Sequence, residues 1–326
     1  MSLMQSPSPS PFAPAAISPE TGIFLEKFEA AMRAAPSAIN TPIADLRRAR
    51  ASGSAVLPIV RSPNAESATI EGPTGPIELR IFRPKQSRGL ALHFHGGGFV
   101  MGGPDQQDPL LERLAHGTSL TVVSASYRLA PEHPFPAAVD DCETAALWAV
   151  HELGKGTFRG NALAIAGESA GAYLALMSLI RLRDRHGVSP FGAALLTYGA
   201  YDLSLTPSAR NWGDRFLLIS TPILKKYLDA FAPSARDRTA AHVSPLYADL
   251  SGLPAALFTV GTLDPLLDDS LFLSQRWAAA GNQAELAVYP GGIHAFNAFP
   301  LEIGRQANQN QIDFLNRIFP SARELV

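Results

Sequence analysis

One serine of this chain lies in a setting that would make its hydroxyl a nucleophile. The stretch Gly167–Gly171, with the sequence GESAG, follows the apolar run Ala162–Ala166 and precedes the apolar run Tyr173–Leu182. This order predicts a strand, a tight turn and a helix, with Ser169 at the turn. Small flanking residues let the backbone turn sharply and lift the hydroxyl above the strand end. A serine between glycines is otherwise an ordinary turn residue, so the assignment depends on further motifs.

A glycine-rich segment upstream would supply hydrogen-bond donors to the same reaction. The sequence HGGGF at His95–Phe99 directly follows Leu90–Phe94, a run typical of a buried strand. Without a Cβ, glycines past a strand end can turn their N–H groups toward a ligand. The N–H groups of Gly97, Gly98 and Ala170 are predicted to form an oxyanion hole of three donors. The alternative interpretation of the triplet is a flexible loop.

A serine hydroxyl needs a histidine base, and the histidine needs a carboxylate to hold it in one tautomer. The apolar strand Leu257–Val260 is followed by Asp264, and the strand Ala284–Tyr289 is followed by a loop that carries His294. Both residues thus follow strand ends, at the edge where open α/β sheets place their chemistry. We therefore predict Ser169 as nucleophile, His294 as base and Asp264 as its orienting carboxylate, in the chain order Ser, Asp, His.

Other carboxylates and imidazoles compete for these roles. Asp268 and Asp269 open a predicted helix, where they favourably meet its dipole, and we interpret them as structural. His93 and His95 form an H-x-H pair, but glycines rather than further metal ligands follow them, so no metal site is predicted. The remaining histidines have no partner pattern: His116, His133, His151, His186 and His242.

Taken together, the motifs closely resemble those of the bacterial hormone-sensitive-lipase-like (family IV) esterases of the α/β-hydrolase fold. The resemblance covers nearly the whole chain from the first strand onward and rests on the segments His95–Phe99, Tyr127–Glu132, Gly167–Gly171 and Asp264–Leu266, and on His294. It implies hydrolysis of carboxylic esters with short to medium acyl chains, through an acyl-enzyme and without a cofactor. It also implies the roles already given to the triad and to the three oxyanion donors.

Two positions depart from the family pattern. Ala172 stands where a glycine often follows the serine motif, and Ala295 replaces a glycine that commonly follows the histidine. Neither removes a reacting group. A non-glycine residue at 295 is expected to keep φ negative unless it is strained, and could tilt the His294 loop.

The elements that must position these residues alternate along the chain. Strands and helices predicted from Ser67 onward begin with an antiparallel hairpin and continue as β-α repeats, which predicts a mostly parallel, doubly wound sheet flanked by helices. Residues 1–17, rich in Ser and Pro, are predicted to be disordered. Residues 18–66 are predicted to be helices of a cap, and residues 67–326 the catalytic domain.

The β-α rhythm breaks between Tyr198 and Leu257, where we predict a cap insertion at about 200–245. A helical pattern over 211–232 is too aromatic for a solvated linker. We expect its apolar face to hold the substrate, with contacts from Phe99, Trp212, Phe216 and Leu217. The alternative is that these aromatic residues only pack the cap against the sheet.

Composition limits the other function classes. The 326 residues carry a net charge of −2, which argues against nucleic acid or an anionic membrane as a partner. No nucleotide-binding motif occurs, the single cysteine excludes a disulfide framework, and the start resembles no signal peptide, so a cytoplasmic protein is expected. The expected partner is a small ester, and the sequence leaves open whether the protein forms a homodimer. Hydrolysis of amides, carbamates or lactones, or ligand binding without catalysis, are the alternatives.

Overall fold

The computed structural model describes residues 10–35, 38–53, 56, 59–234 and 236–320. Eight strands form one sheet in the order β1-β2-β4-β3-β5-β6-β7-β8. The hairpin β1-β2 and the pair β2-β4 are antiparallel, and all later pairs are parallel. The strand bounds are β1 Glu66–Glu71, β2 Pro76–Phe82, β3 Gly89–Phe94, β4 Thr121–Ala125, β5 Ala162–Glu168, β6 Ala193–Thr197, β7 Ala255–Leu263 and β8 Ala284–Ile293.

Helices cover both faces of this sheet. Their bounds are α1 Pro19–Ala34, α2 Ile43–Ala51, α3 Asp108–Thr118, α4 Ala137–Gly154, α5 Ala170–His186, α6 Pro207–Asn211, α7 Thr221–Phe231, α8 Leu267–Ala279 and α9 Glu302–Ile318. Strands β3 to β6 are buried along their whole length, because both faces are covered. This arrangement confirms the predicted α/β-hydrolase fold class.

Alternate residues of the central strands enter two separate cores. Leu90 and Leu92 of β3 belong to a cluster that includes residues of α4, α5 and α8, whereas Ala91 packs with residues of α3 and α9. The two-residue period of a strand causes this division, since successive side chains point to opposite faces. On the face covered by α3 and α9, many of the strand side chains are small, and alanines make up much of that surface.

The N-terminal segment differs in part from the prediction. Of the stretch 1–17 predicted to be disordered, residues 1–9 lie outside the described residues. Pro14–Ala16 form a short 3₁₀ helix, and Ile17 packs against an apolar cluster near the end of β8. The prediction does not hold for these residues because Ile17 has apolar surface to bury, unlike the Ser and Pro residues before it.

Helix α1 begins as its sequence predicts and covers the site edge of the sheet. Ser18 caps it by accepting a hydrogen bond from the Thr21 N–H, with Pro19 at the first position. Its buried face, Leu25 and Phe28, packs in a cluster with Tyr198 and other residues from the ends of the last strands and from the following loops.

The segment between β6 and β7 contains two α-helices, and the helical pattern predicted over 211–232 is interrupted between them. Helix α6 ends at Asn211, and α7 begins at Thr221. Gly213 breaks the helix with φ of +78°, and Pro222 favours a new start. Lys226 of α7 donates hydrogen bonds to the carbonyls of Ala38 and Ile39, at 3.0 Å each, and so ties this segment to the N-terminal one. No helix within the described residues is long and apolar enough to span a membrane.

Candidate active site

Ser169 occupies the strained turn between β5 and α5. Its φ of 55° and ψ of −118° lie in a region that non-glycine residues rarely adopt. The two glycines of the motif make the turn possible because the neighbouring backbone leaves no room for a Cβ at either position. A Cβ at Gly171 would lie 1.9 Å from the carbonyl oxygen of Phe94, and one at Gly167 would lie 2.3 Å from the backbone of Gly171. The helix start therefore packs directly on the end of β3, and the serine side chain stands clear of both.

The three predicted reacting side chains lie in one hydrogen-bonded line. His294 Nε2 is 2.9 Å from Ser169 Oγ, and His294 Nδ1 is 2.9 Å from Asp264 Oδ2. Asp264 and His294 are buried, with 1% and 5% of their surface exposed. The second carboxylate oxygen of Asp264 accepts a hydrogen bond from the Leu266 N–H at 2.9 Å. The imidazole nitrogen that faces the serine is thus free to accept its proton, since the other nitrogen donates to the carboxylate.

The loop that carries His294 is strained at the following residue. Ala295 has φ of +60°, in the left-handed region, where the sequence led us to expect a negative φ unless strained. The histidine still reaches both partners, so the missing glycine has not displaced it. The ring of Tyr198 packs edge-on against His294, with centroids 4.8 Å apart, and its hydroxyl donates to Asn297 Oδ1. These contacts hold the loop against the ends of β6 and β7.

The glycine loop after β3 presents backbone donors beside the serine. Gly97 and Gly98 have φ of +124° and +62°, and a Cβ at either would lie within 2.3 Å of Met101 or Tyr227. Only glycine fits both the conformation and the space. Within the described part of the chain, no acceptor is bonded to the N–H groups of Gly97, Gly98 or Ala170. A Cβ at Gly96 would lie 3.5 Å from Ser169 Cβ, so this loop lies directly beside the turn that carries Ser169.

The H-x-H pair of this loop is structural. His93 bonds Ser124 Oγ at 2.9 Å through Nδ1 and Glu168 Oε2 at 2.7 Å through Nε2. His95 stacks on Tyr127, and burial lowers its pKa to about 3, so its ring is neutral. The described residues contain no group of side chains arranged to hold a metal ion.

A cavity of about 260 Å³ opens next to Ser169 and His294. Its walls come from α2, the segment 106–110, the start of the His294 loop and the end of β6. The side chains that give it polar character are Arg50, Gln106, Gln107 and Glu168. Sequence reasoning missed the first three, because nothing in their spacing links them to the serine motif.

The four predicted substrate contacts do not line this cavity. Phe99 is almost fully buried and stacks on Phe231 with ring centroids 3.8 Å apart. Leu217 is fully buried in the cluster with α1, and Trp212 donates its indole N–H to the Arg215 carbonyl. Phe216 packs at the edge of the larger core. Phe99 and Leu217 are thus packed in apolar clusters, and a substrate contact by any of the four residues stays a prediction.

Comparisons with known proteins agree with this geometry. Residues 91–298 match the family described as alpha/beta hydrolase fold. An acetyl esterase of Salmonella choleraesuis (strain SC-B67) is 30% identical over 238 residues, 72% of this chain and 74% of that protein.

Solved structures extend the likeness over nearly the whole chain. A hyperthermophilic esterase from the archaeon Pyrobaculum calidifontis is 32% identical, with a TM-score of 0.83 over 93% of this chain and 98% of its own. An α/β-hydrolase enzyme from the metagenome of Lake Arreo, Spain, is 30% identical, with a TM-score of 0.84 over 94% and 100%. The chain belongs to the α/β-hydrolase family, as one of its hormone-sensitive-lipase-like carboxylic ester hydrolases.

Proposed function

We propose that the chain hydrolyses small carboxylic esters through an acyl-enzyme on Ser169. One observation carries this proposal. Asp264, His294 and Ser169 form an unbroken chain of hydrogen bonds at 2.9 Å, in a setting that is almost wholly buried except at the serine. Such a chain activates a hydroxyl that is otherwise unreactive at neutral pH.

The reaction proceeds in two halves. Ser169 Oγ attacks the ester carbonyl carbon while His294 Nε2 takes the hydroxyl proton, and the same proton then passes to the leaving alcohol. Water enters, gives a proton to His294 and attacks the acyl carbonyl, which releases the carboxylic acid and restores the serine. The Asp264 carboxylate keeps its hydrogen bond to Nδ1 and stabilises the imidazolium that forms in each half.

The negative oxygen of each tetrahedral intermediate needs donors that are already in place. The N–H groups of Gly97, Gly98 and Ala170 are free of other acceptors within the described residues, and their loops pack on each other. Ala170 is also the first residue of α5, whose N-terminal dipole favours negative charge. We assign these three groups as the oxyanion hole, which contributes on the order of 3 kcal/mol per donor to the transition state.

The cavity supports a preference for short acyl chains. A volume of about 260 Å³ lies at the small end for ligand sites. The relative from Salmonella is an acetyl esterase, a further reason to place acetate and other short acyl groups first. We further propose that residues 18–66 and 200–245 act together as the cap, with α2 forming one wall of the pocket.

A series of p-nitrophenyl esters from acetate to dodecanoate tests the function and the chain length together. We expect kcat/KM to be highest for acyl chains of roughly two to six carbons and to fall for longer ones, which exceed the cavity. A matched amide, p-nitroacetanilide, reports on the amidase alternative. Release of nitroaniline as fast as that of nitrophenol would overturn the assignment to esters, and a maximum at dodecanoate would overturn the assignment to short chains.

Replacing the nucleophile gives the first prediction. Ser169→Ala should lower kcat by about four to six decades, because no other group can form the acyl-enzyme. Ser251→Ala, at an exposed serine whose hydroxyl donates to Asp249, is the control and should keep full activity. A Ser169→Ala variant that keeps a tenth of the activity would show that another residue is the nucleophile.

A further inference from the structure

Arg50 brings an unpaired positive charge to the cavity that holds Ser169. It is the penultimate residue of α2 and lines the cavity together with Ser169 and His294. Its Nε is buried without a hydrogen-bond partner, and within the described part of the chain its guanidinium makes no ion pair. Burial lowers its pKa, yet an arginine stays charged in proteins.

The carboxylates near Arg50 are already engaged elsewhere. Asp105 attracts Arg50 electrostatically, but its carboxylate bonds Arg61 Nε at 2.7 Å. Glu168, also on the cavity wall, bonds His93 at 2.7 Å. Neither neutralises Arg50 by direct contact. A charge that is largely removed from water without a partner is unfavourable, and an anion that reaches Arg50 would remove part of that cost.

Two amide side chains make the same cavity polar. Gln106 and Gln107 line it, and the Oε1 atom of each is buried without a partner. An alkyl chain filling the cavity would leave the guanidinium and both amides unsatisfied, which is unfavourable. A carboxylate would accept from the guanidinium and can also accept from the amide Nε2 of a glutamine, whereas the two Oε1 atoms are themselves acceptors and need a donor.

We infer that Arg50 selects esters that carry a carboxylate, which it binds while Ser169 attacks the ester carbonyl. The inference rests on the proposed function of Ser169 and names its substrate class. A planar guanidinium binds a carboxylate through two parallel hydrogen bonds, and these are stronger than bonds between neutral groups. The small cavity limits the substrate to a half-ester of a short dicarboxylic acid or a short acyl ester of a hydroxy acid.

Two matched pairs of esters test the inference. In monoethyl succinate against ethyl butyrate, a carboxylate replaces a methyl group on the acyl side. In acetoxyacetate against ethyl acetate, the same exchange is made on the alcohol side. Hydrolysis is followed by acid release at constant pH, and the measured quantity is the ratio of kcat/KM for the anionic ester to that for its neutral partner.

The variants separate the charge of Arg50 from the stability of α2. For at least one pair, Arg50→Met should lower the anionic-to-neutral ratio by roughly ten- to a hundredfold, the range expected for lost charged hydrogen bonds. Arg50→Lys keeps the charge and should restore part of the ratio. Arg48→Met removes the same charge from the same helix, at a side chain that is 75% exposed and paired with Asp45, and should leave the ratio unchanged.

Each result has one meaning. A wild-type protein that hydrolyses neither neutral ester, and behaves like Ser169→Ala, contradicts the proposed function. Hydrolysis of the neutral esters with an anionic-to-neutral ratio that Arg50→Met does not change contradicts the inference alone. If Arg50→Met fails to fold, the Arg50→Lys variant decides, because a bidentate site should lose at least severalfold in the ratio when lysine replaces arginine.

Discussion

Asp264 contacts His294, and its proposed role of orienting that imidazole gives a prediction at the residue scale. Asp264→Asn should lower kcat by roughly four decades, because an amide nitrogen facing Nδ1 would favour the tautomer that cannot accept the serine proton. KM should change far less. Steady-state kinetics on p-nitrophenyl acetate measures both quantities.

Asp268→Asn is the matched control for Asp264→Asn. Asp268 lies four residues away in the first turn of α8 and accepts a hydrogen bond from the Ser208 N–H at 2.7 Å. It has no contact with His294 among the described residues, so its loss should leave kcat within a few-fold of wild type. Equal losses of kcat in the two variants would show that any substitution in this region lowers kcat, and would contradict a specific effect of Asp264 on the His294 tautomer.

The strain at Ala295 predicts a stabilising substitution. A left-handed φ costs a residue with a Cβ roughly 1–2 kcal/mol, and glycine does not carry this cost. After the larger entropy of glycine in the unfolded chain is subtracted, Ala295→Gly should raise the free energy of unfolding by about 0.5–1 kcal/mol. Ala30→Gly, at an exposed position inside α1, should lower it by a similar amount. Denaturant titration of both variants checks the opposite signs, and a loss of stability on Ala295→Gly would contradict the argument.

Residues differ in how well the sequence predicts their place. Ser169, Asp264 and His294 each follow a strand end, so the topology of the sheet suffices to bring them together. Arg50 has no such link, because its approach depends on how α2 packs above the sheet. Phe99 is apolar, and an apolar side chain next to a site is equally suited to a pocket wall and to a core.

At the scale of elements, α1 is attached through its aromatic face. Phe28 stacks on Phe24 and meets Phe299 edge-on, with ring centroids 5.3 Å and 5.4 Å away. Phe28→Ala should lower the free energy of unfolding by about 3 kcal/mol, since the neighbouring elements cannot close the space. Ile23→Ala on the same helix removes a side chain that is 55% exposed and should cost about 0.5 kcal/mol or less. Denaturant unfolding of both variants measures the difference, and similar losses would mean that α1 is not packed by this face.

Elements with a strong local signal were predictable, and those that depend on tertiary packing were less so. Helix α1 carries a cap, a proline and an apolar stripe, and it begins where these indicate. The region 211–232 has a helical composition, but Gly213 and Pro222 interrupt it: α6 ends at Asn211, residues 212–220 form an irregular segment with a turn, and α7 begins at Thr221. Aromatic content alone did not show this division.

At the scale of the whole molecule, one buried carboxylate makes stability depend on pH. Asp269 accepts hydrogen bonds from the N–H groups of Tyr201 and Asp202 and from the Thr206 hydroxyl, and so fastens the segment after β6 to α8. Burial nevertheless raises its pKa from an ordinary 3.8 to about 7. Between these values the folded protein holds a proton that the unfolded chain has released. The contribution to stability is therefore full below about pH 4 and is lost as the pH rises through 7.

Asp269→Asn should remove this dependence, because asparagine keeps the acceptor for both N–H groups and can donate to the threonine hydroxyl. Denaturant titrations from pH 4.5 to 8 on both proteins measure the free energy of unfolding. Wild type should lose up to about 1.4 kcal/mol per pH unit more than the variant over the lower part of this range. Parallel curves would mean that Asp269 is already ionised at pH 4.5.

The reacting residues are far apart along the chain, and this has a consequence for synthesis. Ser169 and His294 are separated by 125 positions, and Arg50 lies on the other side of the serine. A chain emerging from a ribosome displays Ser169 long before His294, so the proposed mechanism predicts no hydrolytic activity until residue 294 has left the exit tunnel and β8 has joined the sheet. Activity thus reports completed folding, and its recovery after dilution from denaturant would time the last step of assembly.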